Sequence, residues 1–558
     1  MTRPWWASGR WGGQVGAVGR HLARVLAVVV PLVMVGSASG VAADSATVAP
    51  AIRRDSAPVS PASIESIRGA INVAWVVAAG CLVLFTKAGF TLAEAGLVRA
   101  KNAAHTTAMT LGLFAVTTLG FWICGFAFLF GGHGAFADLD ATAPLDGMAS
   151  VTLFGKSWDL LGLRGFGLLG PEGLSPGLLA VFFFHAALLD VAVTIPTGAM
   201  LERWRFGAAL LFGLVAATVV VPVYGGWVWG GGWLGDLGAT IGLGVGVVDF
   251  AGSGVIHLTG GVMALAGSIA LGPRIGKSNG DGSPNAIPGH NLPMVVVGST
   301  LLAFGWFGIN LGRTLSVFDP RLASIATATL LAAASGCLAA LAMTKQVFNK
   351  PDPTMACNGL LAGLVAISAP CAFVSPIEAV LIGVLAGLLV VVSILFFDKT
   401  LRIDDPVGAI SVHGVCGAFG LLCVGLFARS ESIPRPNGLA SGPVGFFTSG
   451  ELGQLGAQAV GVVANLLWVF PTSLLAFAAI NKLVGNRVAA RAEIEGLDVP
   501  EMGVLGYVGE ETYAVRTAGQ DFLATFGPGV PPKSAAKVGS GPKPTAPERP
   551  KRRPPKRS

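Results

Sequence analysis

The sequence predicts an all-α membrane protein. Three features carry that prediction: an apolar composition, a series of long hydrophobic segments with basic residues after alternate ones, and a repeated pairing of aspartate with histidine. Of 558 residues, 53% are hydrophobic and 12% charged, and the mean hydropathy is +0.69. A soluble core cannot hide that much apolar surface, so lipid is the solvent for much of it. The 79 glycines fit a membrane bundle, where small residues let helices approach closely. The net charge of +7 owes much to the last stretch, ERPKRRPPKRS, so the basic balance belongs to the tail and is no nucleic-acid footprint. Seven cysteines (Cys81, Cys124, Cys337, Cys357, Cys371, Cys416 and Cys423) lie in or beside apolar runs and read as small buried hydrophobes.

The chain divides by composition. Residues 1–43 read as a signal peptide: Arg10, Arg20 and Arg24 precede the apolar run Val25 to Val35, and small residues around Ala42 and Ala43 offer a cleavage site. Residues 44–67 form a polar N-terminal segment, expected in the periplasm. A transmembrane domain spans 68–484, a cytosolic segment 485–526, and a basic, Pro-rich tail 527–558.

A bilayer core needs about 20 apolar residues per helix, and about eleven segments meet that need. They lie near 70–97, 106–130, 177–200, 206–228, 250–271, 292–312, 321–343, 355–374, 376–397, 407–428 and 455–482. Basic residues follow every odd-numbered segment: Arg99 and Lys101, Arg203 and Arg205, Arg274 and Lys277, Lys345 and Lys350, Lys399 and Arg402, Lys482 and Arg487. On the other side the loop 229–248 holds no Lys or Arg. The positive-inside rule then puts the N-terminus out and the C-terminus in.

The fifth and tenth segments open alike. Asp249 precedes His257 by the same interval as Asp405 precedes His413, with a glycine soon after each histidine. Spans five apart cross in opposite directions, so this is the trace of a five-plus-five inverted repeat with a shared site near the midplane. Eight helical residues rise about 12 Å, against a half-core of about 15 Å. Each histidine is thereby carried to the middle of the membrane from its own side. A single intramembrane histidine is easily a core residue tying helices together; a matched pair points to function. Two neutral imidazoles suit a small polar solute, or a proton passed between solute and ring. A metal is the rival, but the neighbours are Gly, Val, Leu and Thr.

Longer motifs add a family resemblance. The stretches GFTLAEAGLVRAKN (89–102), DVAVTIPTGAMLERWRF (190–206), VWGGGWL (228–234), VDFAGSGVIHLTGG (248–261) and PGHNLPMVVVGSTLLAFGWFGIN (288–310) resemble the ammonium transporter (Amt) family. So do CNGLLAGLVAISAPCAFVSP (357–376), RIDDPVGAISVHGVCGAFG (402–420) and EIEGLDVPE (493–501). The related Rhesus glycoproteins share the fold, but the motifs are nearer the Amt branch. The resemblance implies a homotrimer, each protomer holding its own pore for ammonium or ammonia in a cell (inner) membrane. It also implies Trp229 at an outer recruiting vestibule, His257 and His413 as twin pore histidines, and Asp249 as an acid that orders the outer site without binding the ion. An indole face attracts a desolvated cation by about 1–2 kcal/mol. Trp227 and Trp233 read as interfacial aromatics. Glu94, Asp190 and Glu202 read as structural polar contacts.

Three positions depart from the family pattern: Leu188 and Ile309 stand where phenylalanines are common, and Arg313 where a serine helps to hold the recruited ion. Aliphatic side chains still occlude a pore but lack the negative ring face. An inward Arg313 would repel ammonium, so its side chain is expected to turn outward into water or pair with Asp319. No nucleophile–base motif, phosphate loop or metal cluster is evident, so neither an enzyme nor a cofactor is expected. The family also implies a cytosolic trimeric nitrogen-signalling regulator as a partner. The rival functions are an ammonium sensor with little flux, favoured by Leu188 and Arg313, and a pore for another small neutral solute such as carbon dioxide.

Overall fold

Four helix starts carry one local code. Ser175, Asn291, Asp352 and Ser375 each accept a hydrogen bond from a backbone N–H of the first turn, and Pro176, Pro293, Pro353 and Pro376 follow inside that turn. The side chains satisfy donors that the helix leaves orphaned, and proline has no N–H to lose there. At Ser375 the cap is reciprocal, because the Glu378 carboxylate accepts from the Ser375 N–H at 2.7 Å.

A computed structural model describes residues 61–134, 136–139, 145, 147–169, 175–429 and 442–507. The expected signal peptide, most of the 44–67 segment, residues 508–526 and the basic tail lie outside the described residues. Helices α1 (Pro61–Leu97), α2 (Ala100–Phe130), α3 (Pro176–Met200), α4 (Phe206–Trp229), α5 (Ser253–Leu271) and α6 (Leu292–Gly312) come first. Then follow α7 (Leu322–Phe348), α8 (Pro353–Ser368), α9 (Pro376–Leu401), α10 (Ile410–Phe427) and α11 (Gly453–Leu483). Among the described residues, ten of these are long and apolar enough to cross a membrane; α8 is the shorter one. The eighth expected segment, 355–374, therefore ends as a helix at Ser368 and continues as turns.

The packing repeats itself. Helix α1 runs along α6. Helix α2 packs on α4 as α7 packs on α9, and α3 packs on α5 as α8 packs on α10. Backbones come into close contact where α5 meets α10: a Cβ added at Gly261 would sit 2.0 Å from the Gly414 nitrogen.

The all-α expectation needs one correction. Strands β1 (Met148–Leu153) and β2 (Lys156–Gly162) form an antiparallel hairpin between α2 and α3. Phe154 and Gly155 make its two-residue turn, both with positive φ (53° and 72°), which matches the twist of the flanking strands. Trp227 and Trp233 pack beneath it: the Trp227 indole donates to Leu160 O at 2.7 Å, and Trp158 lies 5.9 Å from Trp233. The cysteines are all free; four are buried, Cys124 and Cys337 are half-buried, and Cys81 is exposed, unlike the expected burial.

The opposite end gathers the basic residues. Arg99 forks onto Glu202, Arg274 bridges Glu202 and Asp404, and Arg487 pairs with Glu493 of the short helix α12 (Ala490–Glu495). Lys101 also donates to the carbonyls of Glu493 and Ile494. Glu202 is thus the structural contact expected of it. Glu94 accepts from Thr197 at 2.6 Å, and Asp190 pairs with Lys87 at 2.9 Å.

Candidate functional site

Helices α5 and α10 are entered from opposite ends by unwound backbone, and each entrance is organised by one aspartate. Asp249 accepts from the N–H groups of Gly252, Gly254 and Val255 at 2.8–2.9 Å. Asp405 accepts from those of Gly408, Ala409 and Ile410 at 2.8–3.1 Å. Away from water these donors have no other partner, and the carboxylate supplies one. Gly252 (φ 108°) and Gly408 (φ 82°) take the left-handed conformation that turns the chain into each helix.

Each histidine then falls on a wider, π-type turn: Ser253–Leu258 carries His257, and Ile410–Val415 carries His413. Such turns are uncommon and cluster at functional positions. The two Nδ1 atoms lie 3.3 Å apart and the ring centroids 5.3 Å apart, tilted by 25°. One ring must donate and the other accept across that contact. His257 also stacks on Trp306 at 4.8 Å, and the Trp306 indole is fixed by Ser368 Oγ at 2.9 Å. Phe90 lies 6.3 Å from His413. The His257 Nε2 is buried without a hydrogen-bond partner.

Toward the hairpin end sits an aromatic cup. The Trp229 indole N–H donates to the Asp249 carbonyl at 2.6 Å, which fixes the plane of the ring. His185 stands edge-on at 6.1 Å from Trp229 and 4.6 Å from Phe130; His133 stacks on Phe136 at 4.3 Å. Arg313 does not turn outward. Its guanidinium carbon lies 4.5 Å from the Trp229 ring centroid. Asp319 cannot draw it away, because that carboxylate is held by Arg321 at 2.7 Å. Leu188 and Ile309 are fully buried in the apolar core. Toward the other end, a cavity of about 490 Å³ opens beside Asp405, Gly408, Ser411, Ile394 and Met355.

A sequence profile of the Ammonium Transporter Family matches residues 74–507. The chain belongs to that family. This ammonium transporter family member is 40% identical to "Ammonium transporter Amt2" of Archaeoglobus fulgidus, over 78% of its own length and 88% of the relative's. It is 32% identical to "Ammonium transporter 1 member 3" of Solanum lycopersicum, over 79% and 94% of the two chains. Among solved structures it resembles one titled "Sensor Amt Protein", with a TM-score of 0.66 and 35% identity, covering 78% of this chain and all of that one. Candida albicans Mep2 aligns with a TM-score of 0.61 and 25% identity, over 75% and 86%. The chain is thus a multi-pass membrane protein of a transporter family.

The sequence pointed to Trp229, Asp249, His257, His413, Leu188, Ile309 and Arg313, with the Arg313 side chain expected to turn outward rather than onto Trp229. It missed His185, His133 and Trp306. The signal for His185 was present, since an ionisable residue follows Phe182–Phe184 inside an apolar segment. Trp306 lies within the stretch PGHNLPMVVVGSTLLAFGWFGIN (288–310). Among the described residues no cluster of three or more His, Cys, Asp or Glu could hold a metal ion.

Proposed function

We propose that this protein conducts ammonium across a cell (inner) membrane, recruiting the ion at the Trp229 cup and passing ammonia, with or without its proton, along the shaft lined by His257 and His413. The observation that carries the reading is the histidine pair itself. Two buried imidazoles share a 3.3 Å contact, each delivered by the same aspartate-capped turn. A neutral ring accepts from or donates to ammonia without a net charge entering the lipid-buried zone. The five-plus-five inverted repeat is supported by the paired packing of α2 on α4 with α7 on α9, and of α3 on α5 with α8 on α10. With α8 counted as a span, eleven helices put the start of α1 and the end of α11 on opposite sides. The arginine-rich end then faces the cytosol, by the positive-inside rule. A homotrimer and a trimeric cytosolic regulator, docking where the inner cavity opens, complete the reading. Cross-linking in membranes tests the first, and retention of the regulator on immobilised protein tests the second.

The deciding experiment is an ammonium concentration jump on proteoliposomes adsorbed to a supported membrane. The wild type should give a saturable transient current, and His257→Ala and His413→Ala should each reduce it by about tenfold or more. Full current in both variants would remove the histidines from the mechanism. One observation favours the sensor reading: Arg313 already lies on the ring that would take the ion. A protein that binds ammonium by calorimetry yet gives no current would decide for sensing.

A further inference from the structure

Arg313 caps the C-terminal end of helix α6 with its charge toward the Trp229 face. Among the described residues no carboxylate lies within ion-pair distance of it, and its buried Nε has no hydrogen-bond partner. Asp319 is committed to Arg321. Asp249 is the acid whose field reaches Arg313, but its oxygens are spent on three backbone N–H groups. What remains is the indole ring at 4.5 Å, held in plane by its own N–H bond to Asp249, together with the partial negative charge at the C-terminal end of α6. A guanidinium is delocalised and weakly hydrated, so it lies well against an aromatic face. An ammonium ion would use that same face and field.

We propose that Arg313 is a tethered cation that occupies the recruiting site, so that an incoming ammonium ion must displace the guanidinium before it enters the shaft. The inference rests on the proposed ammonium reading and deepens it. The site is self-occupied at rest and opens by competition at high ammonium. His185 and His133, whose rings lie within reach of the Arg313 charge, line the cup in which the displaced side chain moves. The tether sets the threshold of the site while leaving the histidine pair untouched.

The test uses the full chain in proteoliposomes and in detergent, with Arg313→Ser, Arg313→Gln and Arg313→Lys. Ammonium binding is read by calorimetry and flux by current. The neutral variants should lower the half-saturating ammonium concentration at least tenfold, and Arg313→Lys should stay near wild type. Methylguanidinium supplies a second readout. Once the tethered guanidinium is gone, the free one should inhibit ammonium binding in Arg313→Ser at concentrations that leave the wild type unaffected. An unchanged or raised half-saturation in both neutral variants, or no methylguanidinium inhibition in Arg313→Ser, overturns the proposal. A gain in affinity without any current would sink the transport reading and keep the tether. Current with unchanged affinity would do the reverse.

Discussion

The two ends of the molecule treat arginine in opposite ways. At the basic end, among the described residues, the buried guanidiniums of Arg203 and Arg274 and the half-buried one of Arg99 are answered. Arg99 meets Glu202 at 2.7 Å, Arg274 meets Asp404 at 2.9 Å and Glu202 at 3.2 Å, and Arg203 donates to the carbonyls of Ala199, Leu201, Gly272 and Asp404. At the hairpin end Arg321 and Arg429 are paired as well, with Asp319 and Glu378, while Arg313 lies on an indole with its Nε unsatisfied. Complete pairing fixes loops in one geometry, as a scaffold needs. Incomplete pairing leaves a cation that is able to leave, as a recruiting site needs.

The largest expected effect lies in the scaffold. Asp404→Ala would leave Arg274 and Arg203 buried without their shared carboxylate, and removing one partner of a buried pair costs about 3–5 kcal/mol. Thermal unfolding in detergent should show a shift much larger than any variant of Arg313 gives. The pH dependence carries the same mark. Burial alone would raise the Asp404 carboxyl, but the hydrogen bonds and charge of Arg274, with Arg203, outweigh it and hold it down at about 2. An unfolded aspartate titrates near 3.9, roughly. The folded value is the lower one, so this stability is present above about pH 4 and is lost as pH falls through about 2. Asp404→Asn should lack that acid step; an unchanged acid profile would mean that Asp404 is not the group responsible.

Next comes the crossing of α5 and α10. Gly261→Ala places a methyl carbon 2.0 Å from the Gly414 nitrogen and 2.9 Å from the His413 carbonyl carbon. Backbone cannot yield that far without moving His413. Ammonium current should fall about as far as in the histidine variants, roughly tenfold. Gly207→Ala, where a Cβ meets nothing within 4 Å, should leave it unchanged. Equal currents would show that the histidine spacing tolerates more than the 3.3 Å contact implies.

How legible this was in the sequence depended on how local each signal is. The segment expected at 292–312 is the helix Leu292–Gly312, because apolar run, cap and stop are all local. The Asp-to-His interval foretold which residues would meet, because a period repeated in two segments survives without knowledge of tertiary contacts. The pose of Arg313 could not be read that way. It depends on Asp319 being taken by Arg321 and on the plane of Trp229, neither of which lies in the local pattern. The hairpin was missed because Phe154–Gly155 is not a strong turn pair, and the strand alternation of 148–162 was set among much longer apolar helices. The short α8 shows the cost of counting spans by hydropathy alone: turns after Ser368 prolong the apolar stretch but not the helix.

The two ends are also expected to face different compartments, and chemical labelling sharpens that contrast. Gly238 is a poor probe site, since a Cβ there would sit 2.7 Å from the Gly244 oxygen. Its exposed neighbour Ala239 serves instead. In a background with Cys81 replaced, Ala239→Cys should react with an impermeant maleimide from outside intact cells. Ser278→Cys, exposed on the basic side, should react only after permeabilisation. The reverse pattern would invert the orientation and with it the assignment of the Trp229 cup to the outer face.

The smallest effect is expected at Arg491, and it tests whether pairing or burial makes the basic end rigid. Arg491 and Glu495 lie four residues apart on α12, 2.8 Å from each other, yet their side chains are 86% and 56% exposed. The arginine precedes the glutamate, the weaker order against the helix dipole, and water and salt screen the charges. One turn earlier on the same segment, Arg487 reaches a Glu493 side chain that is 1% exposed and also donates to the carbonyls of Leu271 and Pro273. If burial is what counts, Arg491→Ala should leave the melting temperature unchanged at any salt concentration, while Arg487→Ala should lower it and loosen α12, read as faster amide exchange across residues 490–495. A fall for Arg491→Ala as large as that for Arg487→Ala, abolished by salt, would mean that the segment is held by the summed field of its charges. The contrast between the two ends would then be one of net charge, and the unpaired state of Arg313 would lose its special meaning.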